Sequence, residues 1–420
     1  MSVSEPRLRV ALVGTLYPEF RYAGNSTTGL VLTLSTCREV SNLRVYCQVG
    51  GKLPPASERS NVGLRRIWRH NDAPSIVRLL LWLWRDRRSF DLIIFNTYLT
   101  AFGRSRVANA LGALLPTLAA ATTGRPVTVY LHNLLETQDV KKLGYAPGRL
   151  EAFVTHVLEM IMFTSTNVVL PLSSQRETVW RVFHRRVSAN YIPYLEGIAS
   201  LEAHLDLGKR VRKRSPSERV RLLLLGTWGP QKDLAWTLSA IENLRAKGLK
   251  FDVTMAGAVN LQFPGQMSAI RDAANRLAAM GCTFVGELDD VDLVPLLLEH
   301  DVLLLPYITT GGYSGALSCA ALVDAEVIAY DNAQLREQAA LLGANIHFIP
   351  HQSLSALQSA IEDVADKRLR EHGPLPGQLL ERVGTAVDRA KKLLLADSPN
   401  LCGRSESRTL STPPPRKPDP

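Results

Sequence analysis

Three small groups of residues in this 420-residue chain have the composition to handle a strongly anionic ligand. The first is Lys232, which closes the loop 226–232 (GTWGPQK) directly before a helical run opening at Asp233. A lysine at a helix start opposes the positive end of the helix dipole and weakens the helix. Local rules of this kind are broken where a site needs the group, and an ammonium there suits a phosphate. The second group is Ser314, Gly315 and Ala316. Ser314 reads as the N-cap of a helix over 315–323, after the small-residue loop 309–312. The first N–H groups of a helix lack internal partners and lie at the positive end of its dipole, so this start can seat a diphosphate. The third is His132, at the end of the apolar run 127–131. A histidine at the carboxyl edge of a parallel strand points towards a ligand cleft, where it can bind a hydroxyl or move a proton. Gly24, Asn25 and Ser26 join these, in a loop over 15–28 that follows the first strand. Singly, each also has a plain structural reading: a surface lysine, a capped helix, a core histidine.

The elements that must position them alternate strand and helix. Buried strands are expected at 9–14, 43–49, 90–96, 127–131 and 167–171, with a short one at 191–193; helices are expected at 29–40, 75–88, 107–124 and 150–163. The pattern then restarts. Strands are expected at 220–225, 251–256, 283–285, 302–305, 327–329 and 345–348, and helices at 233–244, 267–280, 291–298, 315–323 and 353–365. Alternation of this kind gives parallel α/β sheets, and 420 residues exceed one ordinary core. The expected organisation is a Rossmann-like N-terminal domain over 1–196 and a basic linker over 197–219. A second Rossmann-like domain covers 220–373, a last helix over 374–397 crosses back, and a disordered tail covers 398–420. Ser173 and Ser174 read as a helix cap. The first βαβ unit lacks GxGxxG, so it is no dinucleotide fingerprint.

The net charge of +10 raises the question of nucleic acid. It is carried by three short segments: +5 over Lys209 to Arg219, +3 over Arg78 to Arg88 and +2 over residues 401–420. The body is neutral, and no RNA-recognition, zinc-finger or helix-turn-helix pattern accompanies the charge. An anionic membrane surface fits such segments at least as well. Residues Ser75 to Arg88 form an amphipathic helix with Ile76, Leu79, Leu80 and Leu83 on one face and Arg78, Trp82 and Arg85 opposite, as in an interfacial helix. The uncharged run 107–124 is too polar for a membrane span. Cys37, Cys47, Cys282, Cys319 and Cys402 make no metal-type spacing and read as free thiols of a reducing compartment. No secretory leader pattern opens the chain, so a cytoplasmic protein, peripheral at the membrane, is expected.

Two successive βαβ domains with glycine loops facing each other resemble the GT-B fold, and the second domain resembles glycosyltransferase family 4. Gly226, Thr227 and Lys232 fit the family spacing of Gly-Arg, four residues and Lys before a helix. Leu303 to Pro306, Gly312 to Gly315 and Val327 to Ala329 fit the later strand–Pro, glycine-loop, helix and strand pattern. Gly24 and Asn25 match the first glycine loop, and His132 matches a histidine beside the transferred or acceptor sugar. The family arginine is Thr227 here, and its two acids fall on Gly311 and Cys319. Ser314-Gly315 resembles a variant in which the Gly315 and Ala316 amides hold the β-phosphate. The resemblance implies a retaining transfer of a sugar from a UDP- or GDP-linked donor to a glycan or lipid-linked acceptor. Lys232 and the amides would stabilise the leaving diphosphate without a metal, Gly24, Asn25, Gly226 and Thr227 would line the donor, and His132 would contact the sugar. Two other readings stay open: a GT-B binding or scaffold subunit that lost its acids, and a sugar-nucleotide epimerase.

Overall fold

The structure, a computed structural model, describes residues 7–16, 21–53, 59–97, 101–102, 105–132, 148–185, 187–189, 219–258, 266–288, 290–310 and 312–368. In the N-terminal part the order is β1 (Leu8–Gly14), α1 (Arg21–Ser35), β2 (Val40–Gln48), β3 (Val62–Trp68), α2 (Ala73–Arg85), β4 (Leu92–Thr97), α3 (Arg106–Thr123), β5 (Val127–Leu131), α4 (Arg149–Ser165), β6 (Asn167–Leu170), α5 (Ser173–Phe183) and β7 (Ser188–Ala189). These strands form one parallel sheet in the order β3-β2-β1-β4-β5-β6-β7. In the C-terminal part the order is β8 (Val220–Leu225), α6 (Leu234–Ala246), β9 (Phe251–Ala256), α7 (Gln266–Ala279), β10 (Thr283–Gly286), α8 (Asp290–Glu299), β11 (Val302–Leu305), α9 (Gly315–Leu322), β12 (Glu326–Tyr330), α10 (Ala333–Leu342), β13 (Ile346–Ile349) and α11 (Leu354–Arg368). Its parallel sheet runs β10-β9-β8-β11-β12-β13.

Strand order reverses between β1 and β4 in one sheet and between β8 and β11 in the other. At such a switch point adjacent loops diverge and leave a crevice at the carboxyl ends of the strands. The central strands are apolar on both faces, as helices on both sides require. In the second sheet Leu223, Leu225, Leu303 and Leu305 face one apolar cluster, and Leu222, Leu224, Val302 and Leu304 face the other. The first of these clusters also takes in Leu32 of α1 and Leu172 from the N-terminal domain. The two domains therefore meet through buried apolar contacts as well as polar ones.

Several elements differ from the expectation. Helix α1 starts at Arg21, so Gly24 and Asn25 lie within a helix and not in a loop. The run Gly-Asn-Ser-Thr-Thr-Gly is a weak helix former, yet Ser26, Thr27 and Thr28 are buried. Asn96 donates to Thr27 Oγ1 at 2.9 Å, so tertiary contacts override local propensity. Strand β3 and helix α10 were not anticipated at all. Leu172, not Ser173 or Ser174, is the N-cap of α5, and both serines open the helix. Trp82 is not an exposed interfacial side chain. It packs half-buried against the N-terminal core, between the guanidinium groups of Arg65 and Arg85, 4.7 and 5.0 Å from its ring centroid. The exposed apolar stripe of α2 is instead Val77, Leu81 and Trp84. Ile76, Leu79 and Leu83 are buried as expected. Cys37, Cys47, Cys282 and Cys319 are buried and form no disulfide among the described residues. Among the described residues no helix is long and apolar enough to cross a membrane. The expected strand 191–193, Cys402, the linker residues 197–218, the helix 374–397 and the tail fall outside the described residues.

Candidate active site at the domain junction

The loop after β8 and the loop after β11 are stitched together. Asp233 N–H donates to Pro306 O and Ile308 N–H to Gln231 O, each at 2.9 Å, and Lys232 pairs with Tyr307 in an isolated antiparallel bridge. This stitching turns the Lys232 side chain inward, so it folds back over its own loop instead of lying along α6. Its Nζ donates to Leu225 O at 2.9 Å and lies 4.5 Å from the Trp228 ring centroid and 5.1 Å from that of Tyr307. Trp228 is held in turn by donation from its Nε1 to Ala256 O at 3.1 Å. A side chain at Gly226 would strike the ammonium, and Gly226 has φ 125°, a region that favours glycine. Lys232 is buried, and no carboxylate pairs with it among the described residues. Burial without a counter-charge pulls its pKa down from 10.5 to about 7. Thr227 is exposed, and its carbonyl accepts from Gln231 Nε2.

Ser314 caps α9 as expected. Its Oγ accepts from Leu317 N–H at 3.2 Å and lies 3.2 Å from the Tyr307 hydroxyl. Lys232, Tyr307 and Ser314 therefore form one continuous wall. The cap is braced by Gln338 of α10, which accepts from Ser314 N–H at 2.7 Å and donates to Ser314 O at 2.8 Å. That bond removes the Ser314 N–H from any anion site. The N–H groups of Gly315 and Ala316 meet no acceptor among the described residues. They are the two amides the expectation named, at the positive end of a helix. In the neighbouring loop Thr309 and Thr310 are buried, and the Thr310 hydroxyl donates to Gln334 Oε1.

His132 lies one residue beyond β5 and is 4% exposed, enclosed by both domains. Its Nε2 is 2.7 Å from Asn96 Oδ1 and 3.3 Å from Ser26 Oγ, and its Nδ1 is 2.7 Å from the Tyr313 hydroxyl of the other domain. Burial pushes its pKa down to about 3, so the ring is neutral. The Asn96 amide nitrogen donates to Thr27, which turns Oδ1 towards the ring. Nε2 therefore carries the proton and Nδ1 accepts from Tyr313 O–H. A ring so held is a hydrogen-bonding group. Desolvation disfavours the imidazolium, so the ring in this structure is the neutral form.

The closure goes further. A Cβ built on Gly312 would lie 2.7 Å from His132 O, so the chain can pass there only as glycine or with movement. The Glu337 carboxylate of α10 accepts from Ser173 and Ser174 N–H at the start of α5. A negative side chain on a helix N-terminus is favourable, and here it crosses between domains. Gly226, Lys232 and Ser314 are thus linked through Tyr307, and His132 meets the neighbouring Tyr313 across the junction, whereas Thr227 is exposed. Gly24 and Asn25 lie in the first turns of α1, the helix that follows β1 of the first sheet's switch point. Sequence reasoning missed Asn96, Trp228, Tyr307, Tyr313, Glu337 and Gln338. Asn96 was findable, because it is the last residue but one of β4, at the same sheet edge where His132 follows β5. Trp228, Tyr307 and Tyr313 are placed by loop geometry that no local pattern encodes, and Glu337 and Gln338 by the unanticipated helix α10.

No protein-family model matches the sequence, and no curated protein matches it either. Solved structures do. HepE of Anabaena in complex with UDP and glucose aligns over 94% of this chain and 96% of its own, with TM-score 0.58 and 11% identity. Sucrose-phosphate synthase of Thermosynechococcus elongatus aligns over 92% and 95%, with TM-score 0.58 and 13% identity. A putative UDP-N-acetylglucosamine 2-epimerase of Listeria monocytogenes aligns over 93% and 95%, with TM-score 0.54 and 12% identity. Identities this low carry the architecture and leave the chemistry open. On the strand order, the paired switch points and these full-length superpositions, the chain has the GT-B fold: two Rossmann-like domains closed face to face.

Proposed function

We propose that the protein is a glycosyltransferase that moves a sugar from a nucleoside-diphosphate donor, UDP- or GDP-linked, to a glycan or lipid-linked acceptor. The observation that carries this reading is Lys232. A buried ammonium without a carboxylate partner is costly, and this one is linked through Tyr307 to the helix start at Ser314, whose Gly315 and Ala316 amides meet no acceptor among the described residues. Breaking a sugar–diphosphate bond leaves negative charge on the diphosphate. Donors already aimed at that charge lower the barrier, by about 3–4 kcal/mol each in comparable oxyanion sites. The fold shared with HepE, solved with UDP and glucose, and with sucrose-phosphate synthase supports a nucleotide-sugar donor. In this scheme Lys232, Gly315 N–H and Ala316 N–H hold the leaving diphosphate, and Gly24, Asn25, Gly226 and Thr227 flank the donor. His132, neutral, offers hydrogen bonds to the sugar when Tyr313 releases it. Retention of configuration and independence from metal belong to the same reading.

The membrane face of the proposal rests on α2, α3 and α4. Leu81 of α2 is 60% exposed and Phe153 of α4 is 65% exposed. Val77, Trp84, Val107, Leu150 and Val154 are also exposed on these helices, which pack in sequence α2–α3–α4. Arg78, Arg85, Arg87 and Arg88 flank the stripe. Exposed apolar groups among cations suit the headgroup region of an anionic bilayer, and the cytoplasmic face is the one we assign.

A second reading has one observation in its favour. Cys319, where the resembling family carries an acid, is 1% exposed and packed in the apolar cluster. That favours a nucleotide-binding subunit without turnover. Thermal stabilisation by UDP and by GDP, with slow hydrolysis of the matching sugar nucleotide, tests both. A ligand at 100 times its Kd adds about 2.7 kcal/mol. Stabilisation with hydrolysis supports the enzyme, stabilisation with no hydrolysis or transfer to any acceptor supports the subunit, and no stabilisation refutes the diphosphate seat.

A further inference from the structure

The outer edge of the first sheet carries a second cationic site, apart from the domain junction. A cavity of about 640 Å³ lies along β3, within the range of small-molecule sites. Side chains alternate along a strand, so Val62, Leu64 and Arg66 share one face while Arg65 turns to the other, towards Asp86 and Trp82. Leu53, Val62 and Leu64 form the apolar wall, half-buried against the N-terminal core. Lys52, Arg59 and Arg66 supply the charge, and Ser60 adds a hydroxyl.

These three cations stand together around one concavity with no acid paired to them among the described residues. Arg44 on β2 and Arg65 on the other face of β3 both pair with Asp86, and Arg9 on β1 pairs with Asp91. Among the described residues Lys52, Arg59 and Arg66 have no ion pair, and none of the residues lining the cavity is an acid. Arg66 is fixed by donation from Nε to Gly51 O at 2.8 Å, which leaves both terminal amino groups unspent. Three like charges around one concavity repel each other and focus a positive potential into it. Two guanidinium groups match a phosphate better than a carboxylate, since a phosphate offers three oxygens and up to two charges.

We propose that this cavity binds a phosphate-bearing amphiphile, with the phosphate on Lys52, Arg59 and Arg66 and the apolar portion along Leu53, Val62 and Leu64. Under the glycosyltransferase reading the site takes the anionic end of an acceptor; the binding itself stands without that reading. The test is calorimetric titration of the full chain with octyl phosphate, glycerol 3-phosphate and octyl glucoside. It is run on the wild type and on Arg59→Gln/Arg66→Gln, two surface substitutions outside the junction. Saturable binding of octyl phosphate, weakened at least tenfold in the double variant and by added salt, is the expected result. Equal binding by the variant, no binding by the wild type, or equal affinity for octyl glucoside would overturn the proposal. Glycerol 3-phosphate binding as tightly as octyl phosphate would remove the apolar half and so refute it as stated. Competition of octyl phosphate by phosphatidic acid vesicles, but not by vesicles of zwitterionic lipid, would place the natural ligand in a bilayer; no competition would make it a free ester. UDP stabilisation, read in parallel on both proteins, reports the junction separately, so loss of one does not masquerade as loss of the other.

Discussion

Replacing Lys232 with methionine should stabilise the protein and remove its response to nucleotide. The methionine keeps the apolar stem against Trp228 and Tyr307 and deletes the buried ammonium. In the folded chain the lysine pKa falls from 10.5 to about 7. Each pKa step is worth about 1.4 kcal/mol, so the charged lysine costs at most about 5 kcal/mol of folding stability. Local relaxation reduces that figure, and the variant leaves Leu225 O without its donor, a loss of about 1 kcal/mol. A gain of about 2–4 kcal/mol at pH 6 remains. The sign with pH follows from proton counting. Below pH 7 both states hold the proton and the full cost is present. Between about 7 and 10.5 the unfolded chain holds it and the folded chain does not, so wild-type stability rises relative to the variant. Urea unfolding of both proteins at pH 6, 8 and 10 measures the difference. The expected gap is widest at pH 6 and narrows towards pH 10. UDP or GDP should stabilise the wild type only. A variant less stable than wild type at pH 6, with a gap insensitive to pH, would make Lys232 an ordinary satisfied core group and refute the reasoning.

Three further outcomes follow from the junction and the exposed helices. Tyr313→Phe removes the donor to His132 Nδ1 and should cost about 1–3 kcal/mol; small-angle scattering should show a larger radius of gyration, and an unchanged radius and melting point would deny the hydroxyl a role in closure. Gly312→Val should hold the domains apart, because its side chain lands on His132 O; weaker nucleotide stabilisation with unchanged circular dichroism is expected, and wild-type behaviour in both would contradict the close approach. Leu81→Asp/Trp84→Asp should reduce sedimentation with anionic vesicles at least fivefold without lowering the melting point. Equal sedimentation of variant and wild type would remove α2 from the membrane proposal.

The alternation of apolar runs with helical periods was enough to foresee two parallel α/β domains, because strands covered on both faces leave an unmistakable record. Lys232 and Ser314 were visible for a different reason: each sits where a local rule marks a helix start, and the structure keeps Ser314 as the cap. Strand β3 escaped notice because an edge strand needs little apolar content; Val62, Leu64, Arg65 and Arg66 are only partly covered or exposed. The early start of α1 escaped because its cause, Asn96 reaching Thr27, is 69 residues distant in sequence. Tyr313 and Glu337 act across domains, on His132 and on α5, and no spacing along one chain reports such a contact.

Leu32 and Leu172 have a consequence for how the chain is made. Both belong to the N-terminal domain, yet both complete an apolar cluster whose remaining members come from residues 223–342. Translation delivers the first domain at about 5–20 residues per second, so these leucines wait for seconds with water where their partners will be. During that interval the nascent chain presents an unfinished greasy surface beside the start of α5, whose Ser173 and Ser174 also lack Glu337. Chaperone engagement is expected at that stage of synthesis, and a stop codon placed between the domains should yield a fragment that aggregates more readily than the whole.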